Sequence, residues 1–201
     1  MELVAITLEK IVEAEAVALN SLFAAGLQTL HLRKPDASAN SLRLLLAEID
    51  TTYHRRIVLH DHFGLTNEFG LKGIHLNRRN HTPPVGWKLS VSKSCHTLEE
   101  LNDWEAYHYV FLSPIFNSIS KQGYTRAFLE EELLCARNEG RIHRNVYALG
   151  GISLNRIKQA AAYGFGGVVV LGSLWGAYKE DKNNDALLGR FEALRGECNN
   201  Y

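Results

Sequence analysis

The sequence has no apolar run long enough to cross a bilayer, no CxxC pair and no surplus charge of either sign. The first absence excludes a transmembrane helix, which needs about 20 consecutive apolar residues. The second leaves Cys95, Cys135 and Cys198 scattered. That pattern suits inert free thiols in a reducing compartment better than a disulfide framework. Charge is balanced at 22 basic and 22 acidic side chains, which removes the net basic face that broad nucleic-acid or membrane binding depends on. Proline is scarce: Pro35, Pro83, Pro84 and Pro114 all fall between periodic segments, where they break nothing. Met1-Glu2-Leu3-Val4 has no basic n-region and no apolar h-region, so no signal peptide is expected and the sequence reads as cytoplasmic.

What is present is alternation. Eight β-rich runs are expected as strands: Leu3–Thr7, Gln28–Arg33, Ile57–His60, Gly73–Leu76, Lys88–Ser94, His108–Leu112, Val146–Leu149 and Gly167–Leu171. Helical patterns lie between them. Val12, Leu19 and Phe23 share one side of a helix that Gly26 should stop. Leu42, Leu45, Leu46, Ile49 and Tyr53 form one apolar stripe, and a short helix is expected up to Phe69. Thr97-Leu98-Glu99-Glu100 is arranged as a capping box. Further helices are expected near 129–139, after Ser153 as cap (with Ile157, Ala160 and Ala161), and at about 185–195. Residues 113–127 read as a long polar loop, and Lys179–Asp185 as a solvated connection.

Strand–helix alternation with Val/Ile/Leu strands implies a parallel sheet covered on both faces. About eight such units in roughly 200 residues is the small end of the (β/α)₈ range. An open doubly wound sheet would usually carry GxGxxG after its first strand, and none is present. The expected fold is α/β, one (β/α)₈ TIM barrel domain over residues 1–201 with no inter-domain linker.

In such a barrel the chemistry sits at the C-terminal strand ends. After the seventh and eighth strands come Gly150-Gly151 and Gly172-Ser173, each directly before a helix. Two such loops at these two strand ends favour a phosphate cradle; tight turns alone are the competing reading. In the loop after the sixth strand, Ser118, Ser120 and Lys121 suit an oxyanion, and a solvated surface loop suits them equally. Period-two alternation puts His31 and Arg33 on one face of the second strand and Leu30 and Leu32 on the other. If the leucines meet the helices, Arg33 points into the mouth and needs either a ligand phosphate or a neighbouring carboxylate. His31, His60, His62 and His75 fall on three adjacent strands and are candidates for proton transfer or, without any recognised ligand spacing, for a metal.

Taken in order, these segments resemble the thiamine-phosphate synthase/TenI family from Leu3 to about Trp175. His31-Leu32-Arg33 looks like its Q-x-R-E-K, His60-Asp61-His62 its N-D-R, and Gly73-Ile74-His75-Leu76 its GVHLGQ. Ser94-Cys95-His96-Thr97-Leu98-Glu99-Glu100 looks like its S-x-H-T-x-E-E, and Ser113–Lys121 its GPIFPTxTK. Leu149-Gly150-Gly151-Ile152 looks like its IGGI, and Val169–Leu174 its VVSAI.

The resemblance implies a (β/α)₈ barrel and small phosphate substrates, without nucleic acid, membrane or organic cofactor, and is compatible with a homo-oligomer. The synthase joins a pyrimidine methyl diphosphate to a thiazole phosphate and releases pyrophosphate, with Mg²⁺ and basic side chains stabilising the leaving group. By resemblance, Gly150, Gly151, Gly172 and Ser173 match phosphate-binding positions. Ser94, Ser118, Ser120 and Lys121 fall in matched binding segments, Arg33 matches the diphosphate arginine, and Asp61 matches one metal-binding aspartate. The diphosphate side departs from the pattern. The family glutamine is His31, and its G-Q-[ED]-D is Asn77-Arg78-Arg79-Asn80, so the second metal carboxylate is missing. One aspartate among histidines and arginines is a poor Mg²⁺ site. Either Arg78 or Arg79 supplies that charge, or the chain is a TenI-like thiazole tautomerase or a thiamine-phosphate-binding regulator. The tautomerase members carry a histidine where this chain has Pro114, so His31, His60, His62 or His75 would replace it.

Overall fold

The computed structural model describes residues 1–117 and 127–201. Eight parallel strands close into a barrel in chain order: β1 (Glu2–Ile6), β2 (Thr29–Leu32), β3 (Ile57–Leu59), β4 (Gly73–Leu76), β5 (Ser90–Cys95), β6 (Tyr109–Leu112), β7 (Val146–Leu149) and β8 (Gly167–Val170). β1 pairs with both β2 and β8, which closes the ring. Each strand lies within two residues of its expected ends.

The alternation read in β2 is what the barrel uses. Leu30 and Leu32 face the helices and join the large outer core with Leu19, Leu22 and Leu46. His31 faces inward against Phe111, with ring centroids 4.7 Å apart. Inside the barrel, Val4, Ile6, Tyr109, Phe111 and Val169 form a second cluster. Fully burying a leucine contributes about 1.5–3 kcal/mol, so the outer layer carries most of the stability.

The helices are α1 (Glu15–Ala24), α2 (Ala39–Ala47), α3 (Gly64–Phe69), α4 (Glu130–Asn138), α5 (Leu154–Ala162), α6 (Gly172–Trp175), α7 (Tyr178–Asp181) and α8 (Asn184–Cys198). The stripe from Leu42 to Tyr53 is two elements. Helix α2 stops at Ala47, and a 3₁₀ segment, Thr51–Arg56, restarts where the Asp50 carboxylate accepts from Thr52 N at 2.9 Å. A short polar side chain competing for a backbone amide ends one helix and begins the next. Lys179–Asp185, expected as a loop, begins with the last turn of α7. Ser153 stands at the N-terminus of α5 in extended conformation, without a side-chain cap bond. The capping arrangement at 97–100 is present but shifted by one residue: Thr97 Oγ1 accepts from Glu100 N at 3.3 Å, and the Glu100 carboxylate accepts from His96 N at 2.6 Å. The connection from β4 to β5 contains Pro83 and Pro84 and has no helix.

Trp175 Nε1 donates to Ile6 O at 2.7 Å and ties the β8 end of the barrel to β1. Arg195 on α8 donates to Ala25 O beyond α1, which locks the last helix over the first.

Candidate active site

A cavity of about 790 Å³ opens at the C-terminal ends of the strands, lined from β1 round to β8. Three groups of residues build its wall.

The first group follows β7 and β8. The amides of Gly151, Gly172 and Ser173 bond no backbone or side-chain acceptor among the described residues, and the buried Ser173 hydroxyl also has no partner there. Unsatisfied donors converging on a cavity are what an anion would need. The glycines have a second cause. Gly150 and Gly151 sit at φ +98° and +66°, and a Cβ on Gly151 would lie 2.3 Å from Asn117 O. Ile115 N and Phe116 N donate to Leu149 O and Gly150 O, so the loop after β6 lies directly on this turn. Close approach of two loops therefore demands glycine here whatever the cavity holds.

The second group is basic. Arg33, Arg78 and Arg79 line the opposite wall. Arg33 points into the mouth and pairs with Glu9 at 2.7 Å, so a neighbouring carboxylate already holds it. Arg79 closes on Asp61 through Nε–Oδ1 at 3.1 Å and Nη2–Oδ2 at 3.0 Å. Asn80 Nδ2 adds a third bond to Asp61 Oδ1 at 2.9 Å. The Asn77–Asn80 turn that presents Arg79 is anchored by the side chains of Asn77 and Asn80, both donating to His60 O. Arg78 is exposed and has no ion pair or hydrogen bond among the described residues.

These contacts set what Asp61 can offer a metal ion. Mg²⁺ needs oxygen donors, carboxylates above all. Both Asp61 oxygens accept from a guanidinium, and the two acidic positions of the family pattern after β4 carry Arg79 and Asn80. The residues present do not fit Mg²⁺.

The third group lies under the cavity floor. His31 Nδ1 is 2.9 Å from His60 Nε2, and His31 Nε2 is 2.8 Å from the Tyr109 hydroxyl. His75 bonds Ser92 Oγ through Nδ1 and Ser94 Oγ through Nε2, both at 2.8 Å. His60 and His75 stack with centroids 4.3 Å apart. Burial holds His31 and His60 well below the usual histidine range, and neighbouring histidines add to the effect. It pushes His75 down to about 3, with the Arg33 charge adding to it. All three are neutral at pH 7. One nitrogen from each comes within 4.8 Å of the others, the arrangement that could hold a metal. Both His75 nitrogens, however, are already occupied by serine hydroxyls.

Of the sequence candidates, His60, Arg33, Arg78, Arg79, Ser94, Gly150, Gly151, Gly172 and Ser173 line the cavity, while His31 and His75 lie beneath it. His62 does not join them. Its backbone takes φ 53°, and the exposed ring turns outward to Ala37 O, 2.8 Å from Nε2. Ser118, Ser120 and Lys121 lie outside the described residues. Sequence reasoning missed Tyr109, Ser92 and Phe111. The period-two alternation applied to β2 would have turned all three inward.

No helix among the described residues is long and apolar enough to cross a membrane. The thiamine monophosphate synthase family model matches residues 3–174. A putative thiamine-phosphate synthase of Geobacter sulfurreducens is 25% identical over 161 residues, 75% of each chain. A thiamine-phosphate synthase of Latilactobacillus sakei is 27% identical over 134 residues, covering 61% of this chain and 58% of that protein. The crystal structure of thiamine phosphate pyrophosphorylase from Bacteroides thetaiotaomicron superposes with a TM-score of 0.91 at 40% identity, covering 99% of this chain and 98% of that one. The corresponding Pyrococcus furiosus structure, at 18% identity and TM-score 0.78, shares the fold. With the family model spanning nearly the whole barrel, the chain belongs to the thiamine monophosphate synthase family.

Proposed function

We propose that this protein joins a pyrimidine methyl diphosphate to a thiazole phosphate and releases pyrophosphate, with arginine side chains standing where Mg²⁺ stands in other family members. The observation that carries this reading is the two-sided cavity. One wall offers unpartnered amides at Gly151, Gly172 and Ser173, and the other offers the guanidiniums of Arg33, Arg78 and Arg79.

In this reading the first wall seats the thiazole phosphate and the second the diphosphate. The bond between the pyrimidine methylene carbon and the diphosphate oxygen breaks, and the electron pair leaves on oxygen. A thiazole ring nitrogen supplies the pair for the new bond. No side chain becomes covalently attached, so the protein contributes position and charge. Arg78, with no partner among the described residues, is free to follow the departing pyrophosphate. Arg79 is held in place by Asp61. Arginine suits this role because its planar fork donates to two phosphate oxygens at once.

The test is a coupling assay with both substrates, monitoring thiamine phosphate and pyrophosphate. Product formed at the same rate with and without a chelator supports the reading. Tight binding of thiamine phosphate without turnover under any divalent metal would replace it with a binding protein.

A further inference from the structure

We propose that Tyr109 and His31 are positioning residues: through two buried hydrogen bonds they fix the His60 ring as a neutral hydrogen-bond donor, aimed at a phosphate oxygen on the arginine wall of the cavity. This deepens the coupling reading and rests on it only for the identity of the anion.

The relay has two links. The Tyr109 hydroxyl lies 2.8 Å from His31 Nε2, and His31 Nδ1 lies 2.9 Å from His60 Nε2. Tyr109 is on β6, His31 on β2 and His60 one residue past β3, so the relay crosses the barrel interior. His31 is 0% exposed and Tyr109 6%. His60 lines the cavity, and its Nδ1 has no partner among the described residues. His75 stacks on His60 but keeps its own bonds to Ser92 and Ser94 and takes no part.

Two proton arrangements fit these links, and burial decides between them. A neutral imidazole carries one proton and one ring lone pair, and a phenol carries one proton. In the first arrangement Tyr109 donates to His31 Nε2, and His31 donates from Nδ1 to His60 Nε2. His60 then holds its own proton on Nδ1, facing the cavity. Only phenol lone pairs go unused. In the second arrangement His60 donates from Nε2 to His31 Nδ1, and His31 donates from Nε2 to the Tyr109 oxygen. The phenol proton is then stranded, because the Tyr109 hydroxyl makes no other hydrogen bond among the described residues. A buried donor without an acceptor is the costlier defect. Burial also pushes the Tyr109 phenol up, so the proton that sets the direction is retained.

The direction matters because of what stands beside His60. The charges of Arg33 and Arg79 act on its ring, and both side chains line the same cavity. An anion held by these guanidiniums brings oxygen lone pairs to His60. The Nδ1–H form donates to such an oxygen, whereas the Nε2–H form meets it with a lone pair of its own. A cationic ring is opposed by burial and by the two guanidiniums. The donor must therefore be neutral, and its tautomer must be set from beneath. The Asn77 and Asn80 side chains both donate to His60 O and hold the backbone that carries the ring.

The first test is ¹⁵N NMR of histidine-labelled protein at pH 7 without ligand. His31 and His60 should both carry the proton on Nδ1, and Nε2–H on either overturns the proposal. Tyr109→Phe should bring the Nε2–H form of His60 into the population; an unchanged tautomer removes Tyr109 from the role. The second test is calorimetric binding of inorganic pyrophosphate. Tyr109→Phe should weaken it about tenfold, the loss of one well-placed hydrogen bond. In a His60→Asn background the same change should cost nothing, because an amide carries its own N–H. Equal losses in both backgrounds mean that Tyr109 only supports packing, which overturns the proposal. Should Tyr109→Phe fail to fold, His31→Gln cuts the same relay and takes its place in both tests. No pyrophosphate binding by the wild type overturns the choice of anion. Failure of coupling with this cycle intact would sink the synthase reading alone.

Discussion

Arg79 grips Asp61 with two parallel hydrogen bonds, so the one carboxylate that the family pattern assigns to metal is spent on a guanidinium. The pair has opposite consequences under the two possible roles of Asp61. If Asp61 bound Mg²⁺, Asp61→Asn would abolish turnover. If it positions Arg79, Asp61→Asn keeps one acceptor oxygen and costs little. We expect Arg79→Ala to lower kcat/KM for coupling by about 100-fold, the scale of losing one charge-stabilising donor. Asp61→Asn should lower it by less than about tenfold, for the loss of one charge-assisted bond. Steady-state kinetics of the two variants, each with and without chelator, check the ordering.

The buried histidines make stability depend on pH. Their folded-state values lie below the unfolded value near 6.5, His75 at about 3 and the other two lowered by burial. The unfolded chain therefore binds more protons than the folded one below pH 6.5. Stability is full above that pH and is lost as the pH falls. Each histidine held neutral contributes about 1.4 kcal/mol per pH unit, so three give up to about 4. Glu15, whose folded value is raised by burial, works in the opposite direction near pH 4.5 and offsets part of the loss only there. Urea midpoints at pH 7.0 and 5.5 should differ accordingly. His75→Gln should remove about one proton from the slope.

Lys34 and Glu15 form an ion pair whose side chains are both 0% exposed, with Nζ at 2.5 and 2.7 Å from the carboxylate oxygens. Nζ also donates to Leu8 O and Lys10 O, so every lysine proton is used and the loop after β1 is stapled to α1. Burial pushes Glu15 up and Lys34 down, each opposed by the partner's charge. Glu15→Ala leaves the ammonium buried with two carbonyls and should cost about 3–5 kcal/mol. The double variant Glu15→Leu/Lys34→Met should recover most of that, short of the two carbonyls left without a donor. Denaturant unfolding of the three proteins measures the coupling.

Much of the barrel was legible because its strands are buried on both faces and read as short apolar runs. The inward and outward sides of β2 followed from Leu30 and Leu32 alternating with His31. Other features needed distances. Nothing in the spacing of Asp61 and Arg79 says that they pair, since their contact depends on how the Asn77–Asn80 turn folds over the end of β3. His62 misled because strand alternation stops where the backbone turns to positive φ, one residue past Asp61. Tyr109 and Ser92 were readable by alternation, but only the closed ring brings β2 and β6 side chains together across the interior.

Glycine substitutions separate packing demands from simple chain entropy. Gly151 has φ +66°, and an added Cβ would meet Asn117 O at 2.3 Å and Phe116 Cβ at 2.8 Å. These atoms belong to the loop after β6, which donates its amides back to the same turn. Relief requires the two loops to part, so Gly151→Ala should destabilise by about 1–3 kcal/mol and move the cavity wall with it. Gly189 and Gly196 lie exposed in α8, where an added Cβ meets nothing within 4 Å. Alanine at either should stabilise by about 0.5–1 kcal/mol. Thermal unfolding with and without inorganic phosphate tests both halves. Gly189→Ala should raise the midpoint and keep the phosphate-induced shift, while Gly151→Ala should lower the midpoint and lose that shift. A Gly151→Ala protein with full stability and an intact phosphate shift would mean that the loop after β6 does not rest on this turn.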